Sequence, residues 1–142
     1  MRIHRVSPEE KGRIIELLSA ALAAEPDVVF AYLHGSFVET EGFRDIDVAV
    51  FFDPLPERLW RREVELADQL ERALRDAGFS FPIDVQALNE APPAFRAAAI
   101  RPRQIPFCRD EDRRSEFEAA TWSEYADVRR LHEAYLRDVL SL

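Results

Sequence analysis

Apolar and polar residues follow two different periods along the chain, and these periods separate predicted helices from predicted strands. Residues 7–10 read Ser-Pro-Glu-Glu, the capping-box pattern of a helix start, and apolar residues at helical spacing follow over 14–22. Pro26 is expected to end this first helix. The same spacing predicts a long amphipathic helix over 56–77 and a last helix over 110–140.

Short runs of β-forming residues alternate with these helices. They predict strands at 28–33, 45–52, 81–88 and 104–108. The last of these is expected at an edge of the sheet, because Pro106 has no N–H to donate to a neighbouring strand. Residues 91–103 contain three prolines, and the pattern leaves them as either a short helix or a loop. The order α-β-β-α-β-β-α predicts an α+β or α/β domain with a small mixed sheet of about four strands flanked by helices.

The apolar positions of the helices also predict which side chains face the core. In the long helix the predicted apolar stripe is Leu59, Trp60, Val64, Leu66, Ala67, Leu70, Ala73 and Leu74. In the last helix the candidate anchors are Phe117, Trp122, Tyr125, Val128, Leu131, Tyr135 and Leu136. We expect the aromatic residues among them to lie in the core and not at an interface.

Composition and charge narrow the class of protein. A length of 142 residues suits a single domain, 1–142. The formal net charge of −8 argues against direct binding of nucleic acid, yet a divalent metal could still bring a nucleoside triphosphate to an acidic site. The single cysteine, Cys108, cannot form an internal disulfide, which favours a cytoplasmic setting. The chain has no run of about 20 apolar residues, so no membrane span is expected.

The candidate chemistry is concentrated between His34 and Asp47. Residues two apart in a strand point the same way, so Asp45 and Asp47 are expected to project together from one face. Two adjacent carboxylates repel each other unless a cation lies between them, and Mg²⁺ is the hard cation that prefers oxygen ligands. The competing interpretation is a solvated acidic pair at the start of an exposed strand, since Asp-x-Asp often occurs by chance.

Two further features favour a functional site. Gly35 and Ser36 end a predicted buried strand, where a glycine lets a phosphate approach the backbone and a hydroxyl can hold it. Asp84 lies in the third predicted strand, where it could complete a two-metal site or accept a proton from an attacking hydroxyl. His34 is expected to be a packed histidine at the end of its strand. Ser36 lacks the Gly-x-Ser-x-Gly pattern of a hydrolase nucleophile.

Several local motifs together resemble a known superfamily. They are Leu33–Phe37, Arg44–Val50, Ile83–Val85, Leu88–Pro92 and the segment from Phe107 to Tyr125. In this order they resemble the polymerase-β-like nucleotidyltransferases, and within that superfamily the minimal nucleotidyltransferases (MNT family) of prokaryotes. The resemblance covers nearly the whole chain.

This resemblance implies a fold, a site and a partner. It implies Mg²⁺, at two sites, held by Asp45, Asp47 and Asp84, and triphosphate contacts at Gly35 and Ser36. Such proteins are commonly antitoxins of a HEPN ribonuclease toxin, and the proposed reaction transfers AMP from ATP to a tyrosine of that toxin. The resemblance also implies a hetero-oligomer with the toxin.

The chain departs from the family pattern in the loop between the glycine turn and the aspartate pair. This loop is short and acidic, with Glu39 and Glu41, and Arg44 is expected to compensate by contacting phosphate. Two other functions stay open: an antitoxin that neutralises its partner by binding alone, and a transferase that modifies a small molecule such as an antibiotic. The second usually needs further domains to hold the acceptor, and a polymerase would need a basic groove.

Overall fold

The computed structural model describes residues 2–141 and confirms the α+β class. Its elements are β1 (His4–Arg5), α1 (Pro8–Ala23), β2 (Val28–His34), α2 (Ser36–Glu39), β3 (Gly42–Phe43), β4 (Ile46–Phe52), α3 (Leu59–Asp76), β5 (Ile83–Ala87), α4 (Pro93–Ile100), β6 (Gln104–Cys108) and α5 (Glu111–Leu140). Helix α1 begins as expected, because the Ser7 side chain accepts from the Glu10 N–H and Glu10 bonds back to the Ser7 N–H.

The main sheet has four strands in the order β5-β4-β2-β6. Strands β4 and β5 are parallel and the other pairs are antiparallel, so the sheet is mixed as predicted. Strand β6 lies at one edge, in agreement with the expectation from Pro106. A second ribbon, in which β1 pairs with β3, was not predicted, since two residues per strand are too few to produce a pattern.

Residues 91–103 contain helix α4, which the sequence pattern left undecided. Pro92 lies in extended backbone just before the helix and Pro93 occupies its first turn, where a missing N–H costs nothing. The prolines therefore mark the start of this helix and do not break it.

Helices cover both faces of the main sheet, which gives three layers. Ile46, Val48 and Val50 are fully buried on one face, in the cluster that includes residues of α1 and α3. Ala49 lies on the other face, in the cluster that includes Phe117 of α5. The alternation along β4 is the one that the sequence predicts, and it leaves the Asp45 and Asp47 side chains on the α4–α5 side of the sheet.

The predicted burial of the last helix is wrong for most of its candidate anchors. Phe117 is buried, but Trp122 is 38% exposed, Tyr135 64% and Leu131 72%. A helix of 30 residues is about 45 Å long, whereas a seven-residue strand such as β2 spans about 23 Å, so the sheet cannot cover all of α5. No helix within residues 2–141 is long and apolar enough to cross a membrane.

The stripe predicted for the long helix is also wrong at two positions. Leu66, Leu70 and Leu74 are fully buried, but Trp60 is 64% exposed and Val64 is 62% exposed. Helical spacing identifies an apolar side of α3, but it does not say how far the sheet beneath that side extends.

Thr121 of α5 offers a test of the packing. Its side chain is fully buried, and its hydroxyl has no hydrogen-bond partner among the described residues. Thr121→Val replaces this hydroxyl with a methyl group of similar size, which removes the cost of burying an unpaired polar atom. We expect the free energy of unfolding, measured in urea, to rise by about 1 kcal/mol. A fall of that size would mean that the hydroxyl is paired in solution.

Candidate functional site

Three aspartates meet where β2, β4 and β5 lie side by side. In the strand register His34 is opposite Asp47, and Asp47 is opposite Asp84. Asp45 directly precedes β4, two residues before Asp47 on the same face. One carboxylate oxygen from each of the three aspartates lies within 4.8 Å of the others. The structure therefore brings together the three acids that the sequence singles out.

The carboxylate of Asp47 lies between two acidic neighbours, Asp45 just before β4 and Asp84 across the sheet in β5. Burial raises its pKa, and the negative charges of Asp45 and Asp84 raise it further, while His34 and Gln86 act in the opposite direction. The ionised cluster is therefore costly without a counter-charge. Three carboxylates at this spacing are the donor set that a hard divalent cation takes, so the residues present fit such an ion.

The backbone of Gly35 lies directly against Asp47. Gly35 has φ 76° and ψ −162°, a conformation essentially restricted to glycine. A Cβ atom at this position would collide with the Asp47 Oδ2 atom. Ser36 begins α2 immediately afterwards and is partly buried. The glycine turn and the aspartate pair are thus one packed unit, a contact that the sequence alone does not predict.

Gln86 is a site residue that the sequence analysis missed. Its Nε2 donates to the Asp84 Oδ2 at 2.5 Å, and its Oε1 lies 3.1 Å from the His34 Nε2. The His34 ring packs edge-on against Phe95 at 5.6 Å, as expected for a histidine at a strand end. Gln86 lies two residues after Asp84 in the same strand, and this spacing was the signal that could have identified it.

The acidic segment at the end of α2 lines a different cavity from the one beside the aspartates. Glu39 and Glu41 line a cavity of about 490 Å³ together with Arg5 and Lys11. Two basic side chains therefore share the space around this negative charge. Arg44 is exposed and directly precedes Asp45.

Three basic residues in or near α5 are engaged in ion pairs. Arg113 lies 2.8 Å from Asp53, and Arg114 lies 2.8 Å from Glu118. Arg103 lies 3.9 Å from the same glutamate. Their charges are matched locally, which disfavours a role in gripping phosphates.

Comparison with known proteins gives a family and a fold. The family model described as polymerase beta, nucleotidyltransferase, matches residues 16–112. A chain of the crystal structure of the toxin–antitoxin MntA-HepT is 22% identical, with a TM-score of 0.61 over 94% of this chain and 99% of that chain. A chain of a toxin–antitoxin crystal structure with AMP-PNP is 24% identical, with a TM-score of 0.63 over 92% and 98%. No curated protein matches the chain.

The family match spans more than half of the chain and contains all three aspartates together with Gly35 and Ser36. The structural likeness agrees with the predicted polymerase-β-like fold, at identities that speak for the fold alone. The chain belongs to the polymerase beta nucleotidyltransferase family.

Proposed function

We propose that this protein is an Mg²⁺-dependent adenylyltransferase that acts as an antitoxin, transferring AMP from ATP to a tyrosine hydroxyl of a HEPN ribonuclease toxin. The observation that carries the proposal is the convergence of Asp45, Asp47 and Asp84, whose carboxylate oxygens lie within 4.8 Å of one another. The family match supports the transfer of a nucleotidyl group. One of the similar structures contains AMP-PNP, an ATP analogue, which supports ATP as the donor.

The three aspartates are the residues that would hold Mg²⁺. When bound, Mg²⁺ neutralises charge on the triphosphate and helps the acceptor hydroxyl lose its proton. Gly35, with no side chain, lets the Asp47 carboxylate lie directly against the backbone of the turn, and Ser36 at the start of α2 offers a hydroxyl for phosphate oxygens. Arg44 is the proposed cationic contact for the triphosphate.

Asp84 is the proposed acceptor of the hydroxyl proton, because it is the exposed member of the three. The acceptor oxygen forms a bond to the α-phosphorus of ATP. The bond between that phosphorus and the oxygen bridging to the β-phosphate breaks, and pyrophosphate leaves with both electrons of the broken bond. The products are the AMP ester of the acceptor, pyrophosphate and the proton taken up at Asp84.

Two observations support a protein partner. The similar structures are of toxin–antitoxin assemblies. In α5, Val128, Leu131 and Tyr135 are each at least half exposed, and contiguous exposed apolar side chains are typical of a contact with another protein. We therefore propose that residues 1–142 form a single catalytic domain. This domain would form a hetero-oligomer with the toxin in the cytoplasm.

The direct test uses ATP labelled at the α-phosphate, Mg²⁺ and the purified product of the neighbouring gene. We expect label on a tyrosine of the partner, and none with the double variant Asp45→Asn, Asp47→Asn. Asp76→Asn, a change of an exposed aspartate at the end of α3, is the matched control and should leave labelling unchanged. Label that survives the double variant would refute the catalytic assignment.

The same variants separate catalysis from neutralisation by binding alone. If the double variant still inhibits the RNase as well as the wild type does, masking of the toxin is the mechanism and the aspartates are not needed. A partner that is never labelled, with label appearing on a small molecule such as an antibiotic, would instead favour the small-molecule transferase.

Gln86 leads to a separate prediction. Its amide holds Asp84 on one side and contacts His34 on the other, so Gln86→Leu frees the carboxylate that is proposed to take the proton. We expect kcat to fall about tenfold while the KM for ATP changes little, because Asp84 and His34, which Gln86 contacts, are not among the proposed triphosphate contacts. Steady-state kinetics with varied ATP measure both constants. A rise in the ATP KM with unchanged kcat would assign Gln86 to nucleotide binding.

A further inference from the structure

A groove of about 500 Å³ runs between α3 and the outer side of β5. Its lining includes Asp84, one of the three clustered aspartates, so the groove opens beside the candidate site. It also includes Trp60 and Val64, which are 64% and 62% exposed. Large exposed apolar side chains next to a reactive carboxylate are suited to holding an acceptor.

The wall of this groove formed by β5 is an edge of the main sheet. In a parallel strand, alternate residues direct both backbone polar groups to the same side. The N–H of Leu88 donates to the carbonyl oxygen of Val50 in β4, so Leu88 and the residues that alternate with it point towards β4. The N–H and C=O groups of Ile83, Val85 and Ala87 therefore point away from the sheet. The N–H of Ala87 is already taken by the Glu63 carboxylate at 2.7 Å, which leaves the stretch from Ile83 to Val85 as the open edge.

The groove is also strongly negative. Glu63, Asp68 and Glu71 of α3 line it with Asp84, and its lining contains no lysine or arginine. Asp68 and Glu71 each have an arginine partner, Arg72 and Arg75, on the neighbouring turn of α3 and outside the lining. An occupant with positive charge would therefore be favoured by electrostatic complementarity.

We infer that this groove binds the acceptor segment of the protein substrate as an added strand along β5, and that the segment is extended and basic. The inference rests on the proposed function, since it names the kind of acceptor that the site takes. An extended segment paired with the open edge places one side chain beside Asp84, on the same face and about 5 Å away between Cβ atoms. A tyrosine there has its hydroxyl within reach of the three aspartates, while Trp60 and Val64 cover the flanking residues.

The first experiment measures the KM of the full-length partner protein, with saturating labelled ATP and Mg²⁺. Trp60→Ser and the double variant Asp68→Asn, Glu71→Gln are expected to raise this KM about tenfold or more, with the KM for ATP unchanged. The effect of the double variant should shrink in 0.5 M salt, because exposed charges are screened there. Leu55→Ser, a change of an exposed leucine before α3, and the pair Glu9→Gln, Glu16→Gln on α1 are the matched controls, and the melting temperature verifies folding of each variant.

The second experiment locates the bound segment. A photo-reactive benzoylphenylalanine replaces Trp60, or Leu55 as control, and cross-linked partner peptides are identified by mass spectrometry. We expect capture, from position 60 only, of the peptide that carries the AMP-labelled tyrosine, with lysines or arginines on its flanks.

If the wild type labels no partner at all, the proposed function fails and this inference fails with it. If labelling occurs but the groove variants keep the acceptor KM within twofold, or position 60 captures another segment or a second copy of this chain, only the inference is overturned.

Discussion

Asp47→Asn is expected to lower the rate of AMP transfer by about 1,000-fold. The substitution keeps the shape of the side chain but removes the charge at the centre of the cluster, which lies opposite both His34 and Asp84 in the register. A metal bound by carboxylates contributes several kcal/mol of transition-state stabilisation, and each 1.36 kcal/mol is a factor of ten in rate. The measurement is kcat/KM for labelling of the partner at saturating Mg²⁺.

The same substitution is expected to stabilise the metal-free protein. The pKa of Asp47 is raised in the folded state by burial and then by Asp45, so ionisation of this carboxylate opposes folding. The protonated Asp47 carboxyl group stabilises the folded state fully when the pH is below its ordinary pKa of 3.8. This contribution to stability is lost as the pH rises through the higher folded-state pKa. In EDTA, the melting temperature of Asp47→Asn should therefore exceed that of the wild type at pH 7, and the difference should vanish towards pH 3.5.

Added Mg²⁺ makes this result diagnostic. It should raise the melting temperature of the wild type and leave that of Asp47→Asn nearly unchanged, because only the first retains the full set of ligands. Asp76→Asn removes an equal charge from an exposed helix end and should respond to Mg²⁺ as the wild type does. If Asp47→Asn loses neither activity nor the response to Mg²⁺, the three aspartates are not the metal site.

The parts of this site that follow local rules could be predicted from the sequence. Period-two spacing placed Asp45 and Asp47 on one face, and β-forming runs placed Asp84 in a strand. Which strands become neighbours depends on contacts between distant residues, so the pairing of Asp47 with Asp84 needed the structure. The hydrogen bond from Gln86 to Asp84 joins two residues of the same strand, so the i, i+2 spacing within β5 was enough to predict that these side chains are neighbours.

The wrong predictions share a physical cause. Trp60 in α3 and Leu131 in α5 have the helical spacing of core residues, yet both are largely exposed. Hydrophobic periodicity reports which side of a helix is apolar, whereas burial depends on the extent of the opposing surface. In α3 the exposed part lies over the groove beside β5, and in α5 it lies beyond the sheet. Both surfaces carry exposed apolar side chains that no other element covers within residues 2–141, which is the pattern expected where another protein binds.

Gly35→Ala is expected to damage both stability and activity. The backbone of Gly35, with φ 76° and ψ −162°, is in a region that a residue with a Cβ occupies at a cost of about 1–3 kcal/mol. The new methyl group would also collide with the Asp47 Oδ2, which forces the carboxylate away from Asp45 and Asp84. Displacement of a reacting group by about 1 Å can cost about 100-fold in rate, so we expect at least that loss in kcat.

Gly12→Ala is the control that separates this local collision from a general effect of losing a glycine. Gly12 lies within α1, and an added Cβ there meets nothing within 4 Å. Alanine is the better helix former, so Gly12→Ala should raise the free energy of unfolding by about 0.5–1 kcal/mol and leave kcat unchanged. Urea unfolding and labelling kinetics on both variants decide the matter. Gly35→Ala could instead have the same urea midpoint of unfolding and the same kcat as the wild type. That result would mean that the glycine turn does not pack tightly against Asp47 in solution.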